Sequence, residues 1–204
     1  MIELGRKQAL MVVKKTEFGV YLGTEDDKVL LPAKYADPDI EEGDSMTVFV
    51  YRDSKDRLIA TTLEPLITLG EVKPLKVKQL TKIGAFMDWG LEKDLLLPFS
   101  EQTSRVEEGR TYPVALYIDK SDRLCATTKI YPYLKTTDAY HTGDGVKGTA
   151  YEYIEKFGMF VAIDNMYQGL IPKKALYGRI RIGDEVKATV SKVQPDGKIE
   201  LALR

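Results

Sequence analysis

The sequence predicts an all-β chain built from three tandem five-stranded barrels. Three observations support this prediction: an internal repeat, short runs of β-branched and aromatic residues, and turn sequences between those runs. Each repeat has about 60 to 70 residues, near the lower size at which a domain folds alone. We therefore place the modules at residues 1–66, 67–140 and 141–204.

The repeat is clearest between the first two modules. Residues 30–32 (Leu-Leu-Pro) recur at 96–98, and residues 56–62 recur with one substitution at 122–128, in each case 66 residues later. The third copy is more divergent but keeps the same order, with its landmarks 74 residues beyond those of the second copy. Because repeats of this kind share one supersecondary unit, the three modules are expected to share one fold.

Each module begins with a predicted strand pair. Residues 12–22, 77–87 and 151–163 are rich in β-branched and aromatic residues. Each run is interrupted by a glycine, which predicts two strands joined by a tight turn or bulge. These glycines are Gly19, Gly84 and Gly158.

The rest of each module completes a small Greek-key barrel. A third short strand ends at each Leu-(Leu/Ile)-Pro, and the segment after it, such as residues 173–177, is long enough for one helical turn only. The last two strands form a hairpin, closed at residues 53–56, 119–122 and 195–197. Five strands with one helical turn after the third is the plan of the OB-fold.

Composition excludes several classes of protein. The chain has 204 residues, of which 44% are hydrophobic and 30% charged, as in an ordinary globular protein. One cysteine and one histidine allow neither an internal disulfide nor a Cys/His zinc cluster. No apolar run could span a bilayer, and the amino terminus lacks the apolar stretch of a signal peptide. We therefore expect a cytoplasmic protein with no membrane partner.

Charge is distributed unevenly along the chain. The net charge is −1, but residues 1–66 carry 9 Lys+Arg against 13 Asp+Glu, residues 67–140 carry 11 against 10, and residues 141–204 carry 10 against 8. The three modules thus have net charges of −4, +1 and +2. A polyanion is expected to prefer the second and third modules.

Catalytic assignments find little support in the sequence. The paired carboxylates at 41–42 and 107–108 precede a glycine and fit a solvated turn better than an acid/base pair. His141 lies in the segment between the second and third modules, and Cys125 replaces Ile59 of the first repeat, which predicts a core position. No loop has the spacing of a P-loop or Rossmann motif. We expect a protein that is not an enzyme and uses no cofactor or metal.

The third module resembles the RNA-binding domain named after ribosomal protein S1. Residues 157–161 (Phe-Gly-Met-Phe-Val), 169–172 (Gly-Leu-Ile-Pro) and 182–186 (Ile-Gly-Asp-Glu-Val) are similar to that family's Phe-Gly-x-Phe-Val, Gly-Leu-(Leu/Ile)-His and Gly-Asp-x-Val. Residues 18–22 and 83–87 resemble the first of these motifs less closely. The resemblance implies S1-like OB-fold barrels that bind RNA.

Three such modules in tandem resemble the conserved virulence factor B family of bacterial RNA-binding regulators. This resemblance implies post-transcriptional regulation of virulence-related genes and a winged-helix domain after the third barrel, whereas the last predicted strand here ends at Arg204. Pro32, Pro98 and Pro172 stand where the S1 domain often has a nucleic-acid-contacting histidine. Proline has neither an imidazole nitrogen nor a backbone N–H donor to replace that histidine. Glu200 stands where the family commonly has a basic residue.

The third module carries the strongest candidates for binding single-stranded RNA. Such binding needs aromatic surfaces for bases and cations for phosphates. The candidates are Phe157, Phe160, Tyr151, Tyr167, Lys173, Lys174 and Lys192. For each aromatic residue taken alone, a place in the barrel core is the more frequent outcome, but for the set we favour binding.

The first two modules offer smaller candidate sets. The second has Phe86 and Trp89, with Lys76 and Lys78 placed on one strand face by alternation. A solvated strand face explains these lysines equally well. The first has Phe18 and Tyr21, but its charge of −4 predicts the weakest binding.

We therefore expect single-stranded RNA as the partner, bound mainly by the second and third modules. The alternative is a scaffold in which the barrels bind a polypeptide partner, which the near-neutral net charge and the missing histidines favour. The short bridge at residues 63–69 predicts that the first two modules pack as a rigid pair. The longer stretch at 129–142 predicts that the third module moves, and no pattern predicts the oligomeric state.

Overall fold

The computed structural model describes residues 1–204 and confirms the predicted all-β class. The helical segments are single 3-10 turns, and none has the length and apolar character needed to cross a bilayer. Three of these turns follow the third strand of a module, as predicted, at Ala33–Tyr35, Phe99–Glu101 and Lys173–Ala175. The fourth, Tyr131–Tyr133, lies in the segment that joins the second and third modules.

Each module contains five strands. The strands of the first module are β1 (Lys7–Thr16), β2 (Gly19–Gly23), β3 (Lys28–Pro32), β4 (Ser45–Arg52) and β5 (Leu58–Thr61). Those of the second are β6 (Val72–Leu80), β7 (Gly84–Asp88), β8 (Leu95–Pro98), β9 (Thr111–Ile118) and β10 (Leu124–Thr127). Those of the third are β11 (Gly145–Ile154), β12 (Gly158–Ile163), β13 (Tyr167–Pro172), β14 (Glu185–Val193) and β15 (Ile199–Leu203).

The strand order is that of a Greek-key barrel. The first and third sheets close in the orders β1-β2-β3-β5-β4 and β11-β12-β13-β15-β14. Closure rests on short parallel pairings, Leu30 with Ile59 in the first module and Gly169 with Ile199 in the third. The second sheet has the same order, but its edge strands β8 and β10 lie side by side without ladder pairing. It is the partly open form of the same barrel.

The first strand of each module bends at a bulge. Its register against the second strand shifts between Val12 and Lys14 in β1, between Val77 and Gln79 in β6, and between Ala150 and Glu152 in β11. A bulge leaves one residue unpaired and increases the local twist. The bend lets one strand pair with the second strand along one half and with the fourth along the other.

A glycine at the start of the second strand allows that strand to pack closely against the third. Gly19, Gly84 and Gly158 have φ of 146°, 147° and 130°. A Cβ at these positions would lie 2.1 to 2.3 Å from the carbonyl oxygen of the facing third strand. Only glycine fits both the backbone conformation and the space.

The first and second modules share a core, so they pack together as the sequence predicts. Phe49 and Tyr51 of β4 are buried against Trp89, with ring centroids 5.7 and 6.0 Å from the indole in edge-to-face arrangements. Ile67, in the bridge between the modules, is fully buried in the same cluster. Edge-to-face aromatic packing adds about 0.5–1.5 kcal/mol per pair to the burial of apolar surface.

The expected mobility of the third module is wrong, because the segment before it is packed between modules. Ile130 and Leu134 are buried in a cluster with Tyr151 and Ala162 of the third module. Lys135 forms a parallel bridge with Tyr167. A segment with buried apolar side chains and backbone pairing does not act as a free linker.

Polar contacts add to the junction of the second and third modules. The Arg110 guanidinium donates to the Ile182 carbonyl at 3.1 Å and to the Asp184 carboxylate at 3.0 Å. Arg181 forms an ion pair with Glu107. The hydrogen bond to Asp184 raises the pKa of Arg110 above its ordinary value. Burial raises the pKa of Asp184, but hydrogen bonds from the Arg181 backbone amide and the Arg110 guanidinium outweigh it, so the pKa of Asp184 is lowered overall. These contacts fix the orientation of the two barrels.

We predict that Gly158→Ala lowers the free energy of unfolding by about 3 kcal/mol, because the added Cβ meets the Ile171 carbonyl 2.2 Å away. The matched control is Gly178→Ala, where φ is also positive but no atom lies within 4 Å of the added carbon. This control is expected to lower the free energy of unfolding by about 1 kcal/mol. Denaturant titration measures both, and equal losses would contradict the role of close strand approach.

Candidate nucleic-acid interface

Each module presents two side chains from its second strand to the outside of the barrel. The residue before the glycine that starts the second strand is exposed in all three modules: Phe18 at 71%, Ile83 at 60% and Phe157 at 49%. Three positions further on stand Tyr21, Phe86 and Phe160, which are half-buried. Strand alternation places them outward, since their neighbours in sequence point into the core.

The third module extends this pair into a row of three aromatic rings. The centroids of Phe157 and Phe160 are 6.3 Å apart with an interplanar angle of 77°. On the other side of Phe160 lies Tyr131, at 5.8 Å and 86°. Tyr131 comes from the 3-10 turn before the third module, and the sequence analysis did not identify it as part of the site. Its only local signal is a position in an aromatic, proline-containing turn.

A groove of about 530 Å³ lies beside Phe160. One wall contains Tyr131 and Phe160, and the other is formed by the hairpin between β14 and β15. Polar groups from Gln168, Lys198 and Glu200 also line it. The groove therefore combines aromatic surface with hydrogen-bonding groups, as a base-binding site requires.

Lysines surround the aromatic row. Lys156 Nζ lies 5.7 Å from the centroid of Phe157, and Lys198 Nζ lies 5.5 Å from that of Tyr131. The predicted Lys174 and Lys192 are exposed and form no ion pair. The predicted Lys173 is paired with Glu155, and the hydrogen bond between them raises the pKa of Lys173. Glu155 thus offsets part of the positive charge at this face.

Tyr151 is not on this surface, and its prediction as an RNA contact is wrong. Its side chain is 1% exposed and packs under Phe160, with ring centroids 6.1 Å apart. It occupies the bulge of β11, where two successive residues, Ala150 and Tyr151, are both buried. Burial raises the pKa of the Tyr151 hydroxyl, which has no hydrogen-bond partner.

Trp89 is likewise a core residue, contrary to its prediction as an RNA contact. It is 2% exposed and packs against Phe49 and Tyr51 of the first module. Its indole N–H donates to the Lys93 carbonyl at 2.6 Å. Because the neighbouring module covers the ring, no base can stack on it in this structure.

Tyr167 lies away from the row of three rings. It is half-buried at the start of β13, which pairs with the carboxyl end of β12. Phe157 comes just before the amino end of β12. Its ring packs edge-to-face on Tyr140 at 5.7 Å. Tyr140 donates to Asp164 at 2.9 Å, and burial raises its pKa to about 12. The structure does not bring Tyr167 together with Phe157 and Phe160.

The corresponding face of the second module is partly covered. Ile83 and Phe86 line a cavity of about 430 Å³ that also contains Arg52 and Asp56 from the first module. The Arg52 guanidinium donates to the Asp122 carbonyl at 2.7 Å, which ties the hairpin of the first module to that of the second. Residues of the first module thus border this face, although Ile83 itself stays as exposed as its counterpart Phe157.

The lysines of the second module share one exposed strand face, as predicted. Lys76 and Lys78 alternate with buried residues of β6. Lys78 forms an ion pair with Asp94 at 3.1 Å, and Lys76 lies opposite Asp88 in the β6–β7 ladder. Carboxylates thus offset both lysines, which weakens their attraction for phosphate.

The first module presents the most exposed aromatic residue of the three. Phe18 stands alone on its surface, while Tyr21 lies under Lys28, whose Nζ is 5.8 Å from the ring centroid. No third ring extends this pair. The first module therefore offers a smaller stacking surface than the third.

The single thiol is unsuited to act as a nucleophile. Cys125 is buried in β10, and burial raises its pKa to about 11, which keeps the thiol protonated near neutral pH. Its sulfur lies 3.7 Å from the Asp119 carboxylate, which disfavours the thiolate further. Groups of three or more His, Cys, Asp or Glu side chains with the geometry to hold a metal ion are absent.

Comparison with known families identifies all three modules. The model of the S1 domain matches residues 4–63 and 69–129. The model of the S1 RNA binding domain matches residues 140–204. Together these matches cover most of the chain.

Two individual proteins resemble the chain over nearly its whole length. The uncharacterized protein YitL of Bacillus subtilis (strain 168) is 29% identical over 209 residues, which cover 98% of this chain and 70% of YitL. A crystal structure of a multidomain protein with nucleic acid binding domains from Streptococcus pneumoniae TIGR4 aligns with a TM-score of 0.64 and 20% identity. That alignment covers 98% of this chain and 74% of the other, and it shows a shared fold.

We predict that Tyr151→Phe leaves affinity for single-stranded RNA within about twofold of the unchanged protein. Because the hydroxyl is buried without a partner, its removal is expected to leave the free energy of unfolding unchanged or to raise it by up to about 1 kcal/mol. Denaturant titration and a binding titration measure the two quantities. A clear loss of RNA affinity in the folded variant would show that Tyr151 does take part in RNA binding.

Proposed function

The chain belongs to the S1 domain family, and we propose that it binds single-stranded RNA without performing chemistry on it. The observation that carries this proposal is the row formed by Tyr131, Phe160 and Phe157 on the outside of the third module. In this row Phe157 is exposed and the other two rings are half-buried at the surface, so the row offers bases a stacking surface. Stacking is sequence-tolerant, because every base has an aromatic face.

The magnitude of stacking supports a useful but moderate affinity. Each stacked base contributes about 1–3 kcal/mol, so two or three bases supply several kcal/mol before any phosphate contact. A free energy of about −8 kcal/mol corresponds to a dissociation constant of about 1 μM. Two or three stacked bases supply about 2–9 kcal/mol, so micromolar binding by the third module needs either the upper end of this range or added phosphate contacts.

Lysines beside the row supply that help. Lys156, Lys174, Lys192 and Lys198 have no partner that removes their charge fully, although Asp196 lies 3.8 Å from Lys198. Each phosphate that a lysine neutralises adds about −0.7 to the slope of log affinity against log salt concentration for a single strand. Two to four such contacts give a slope of about −1.4 to −2.8.

We assign the three modules different shares of the binding. The third module binds most strongly, because its rings are accessible and its net charge is +2. The second contributes less, because the first module partly covers its outer face and carboxylates offset its lysines. The first module, with a charge of −4, acts mainly by packing against the second.

The cellular role that we propose is post-transcriptional regulation in a bacterial cytoplasm. Support comes from the resemblance of the tandem modules to the conserved virulence factor B family and from the bacterial relative YitL. A link to virulence-related genes rests on the first resemblance alone. RNA binding by the third module would supply the contact with the transcript.

A protein-interaction scaffold is the second candidate. The observation that favours it is the presence of carboxylates from Glu155, Asp196 and Glu200 around the aromatic face, since these groups repel phosphate. A polypeptide bound mainly by apolar contacts would show little salt dependence, whereas RNA binding weakens with salt. The two candidates therefore differ in one measurable property.

We predict saturable binding to labelled single-stranded RNA, with affinity that falls as salt concentration rises by a slope of about −1.4 to −2.8. Fluorescence anisotropy measures it, with duplex RNA of the same sequence as the control. Duplex RNA is expected to bind more weakly, because its bases are stacked on each other and cannot reach the rings. Absence of binding to the single strand at low salt would overturn the proposal in favour of the scaffold.

We predict that the double variant Phe157→Ala with Phe160→Leu lowers RNA affinity at least about tenfold, because two stacking surfaces are lost. Leucine at position 160 keeps apolar volume over the buried Tyr151 and so protects the fold. The matched control is Phe18→Ala, the same outward position in the first module, where affinity is expected to stay within about twofold. Equal affinity of the double variant and the unchanged protein would place the site elsewhere.

A further inference from the structure

The groove beside Phe160 contains a carboxylate that cannot contribute to phosphate binding. Glu200 lies on β15, is half-buried, and lines the groove of about 530 Å³ together with Tyr131 and Phe160. A carboxylate repels the phosphates of a bound strand. Its presence next to a stacking surface is explained if it contacts the donors of a base.

The Glu200 carboxylate is free to accept further hydrogen bonds. Gln194 Nε2 donates to Glu200 Oε2 at 2.7 Å. The Glu200 carboxylate forms no ion pair with a lysine or arginine. Lys192 lies opposite Glu200 in the β14–β15 ladder but does not neutralise it at ion-pair distance. Since an ionised carboxylate has about four acceptor sites, most of its capacity remains open.

The other charged side chains of the groove are Asp196 and Lys198, and Lys198 is its only cation. Gln168 also lines the groove, and its Nε2 donates to the carbonyls of Tyr131 and Leu134 at 3.2 and 3.4 Å. Its amide oxygen Oε1 is buried and without a partner, so it is not offered to a bound base. The acceptors that the groove presents are therefore mainly carboxylate oxygens.

This arrangement is particular to the third module. The ladder pairings and the equivalent hairpin turns place Cys125 and Ile59 at the positions that correspond to Glu200, and neither side chain carries a carboxylate. Neither of the first two modules can present a carboxylate at this point. Any base preference that Glu200 gives is therefore a property of the third module alone.

We propose, as an extension of the RNA-binding function above, that this groove takes a guanine base and that Glu200 accepts the N1–H and N2–H of its Watson–Crick edge. Guanine is the only one of the four bases with two adjacent donors on that edge, which match the two oxygens of a carboxylate. Adenine and cytosine present an amino group beside an acceptor nitrogen, and uracil presents one N–H between two carbonyls. Each of these places a lone pair against the carboxylate.

The rest of the groove supports a single bound base. Phe160 and Tyr131 offer faces or edges for the ring, and the hairpin between β14 and β15 closes the opposite side. Phe157 stands outside the groove on the other side of Phe160 and is available to the next base along the strand. Glu200 therefore selects one base, while the exposed ring accepts any neighbour.

The experiment compares octamers of uridine that carry G, A, C or U at one central position, bound to the full chain in an anisotropy titration at fixed salt. A single guanine avoids the self-association of guanine runs. The expected result is a preference for G over U on the order of tenfold. The G octamer with inosine in place of guanine, which lacks the N2 amino group, is expected to lose most of this preference.

Glu200→Gln is expected to reduce the preference for G to about twofold or less and to leave the all-uridine octamer bound at least as tightly, because loss of the charge removes its repulsion of phosphate. That retained affinity also shows that the variant is folded. The matched control is Glu185→Gln, which makes the same charge change at an exposed position of β14 outside the groove and is expected to keep the preference.

The outcomes separate this inference from the proposed function. If all four octamers bind equally, or if Glu200→Gln or the inosine substitution leaves the preference intact, recognition of guanine by Glu200 is overturned while RNA binding stands. If no octamer binds, both the inference and the proposed function are overturned.

Discussion

The close approach of the second and third strands at Gly19, Gly84 and Gly158 is the constraint on which the display of side chains depends. At a φ of 130° or more, the chain reverses without room for a Cβ, because a carbonyl of the facing strand occupies that space. The residue before the glycine is consequently turned outward and exposed in every module. Two successive residues after it, the glycine and its neighbour, are buried, and this change of phase points the third residue outward as well. One backbone requirement thus creates the surface on which the proposed RNA contact relies.

Contacts between modules decide which of the three equivalent surfaces remains accessible. The shared core of the first two modules buries Trp89 and brings Arg52 over the second module's outer face. The junction of the second and third modules buries Tyr151 and, in contrast, adds Tyr131 to the third module's face. Packing against a neighbour therefore removes stacking surface from the second module and extends it in the third. The order of the modules along the chain, as well as their sequences, determines the site.

The fold could be predicted from the sequence because its signals are local and repeated. The offset of 66 residues, the interrupted strand runs and the turn sequences define five strands per module without long-range information. Alternation around Phe160, whose neighbours Met159 and Val161 are buried, also places its ring outward. The burial of Tyr151 and Trp89 could not be predicted in this way. Tyr151 lies at a bulge, where alternation changes phase, and Trp89 is covered by a module whose position no local pattern specifies. Tyr131 and the packed segment around it depend on the same kind of long-range contact.

We propose that single-stranded RNA binds on the outer face of the third module around Phe160. A map of backbone amide chemical shifts in the isotope-labelled full chain, recorded with and without a single-stranded RNA octamer, locates the contact. We expect the shifts that change to cluster on β12, β13 and β15 and around Tyr131. Changes confined to the first module, or to the far end of the third barrel around Tyr140 and Tyr167, would contradict it.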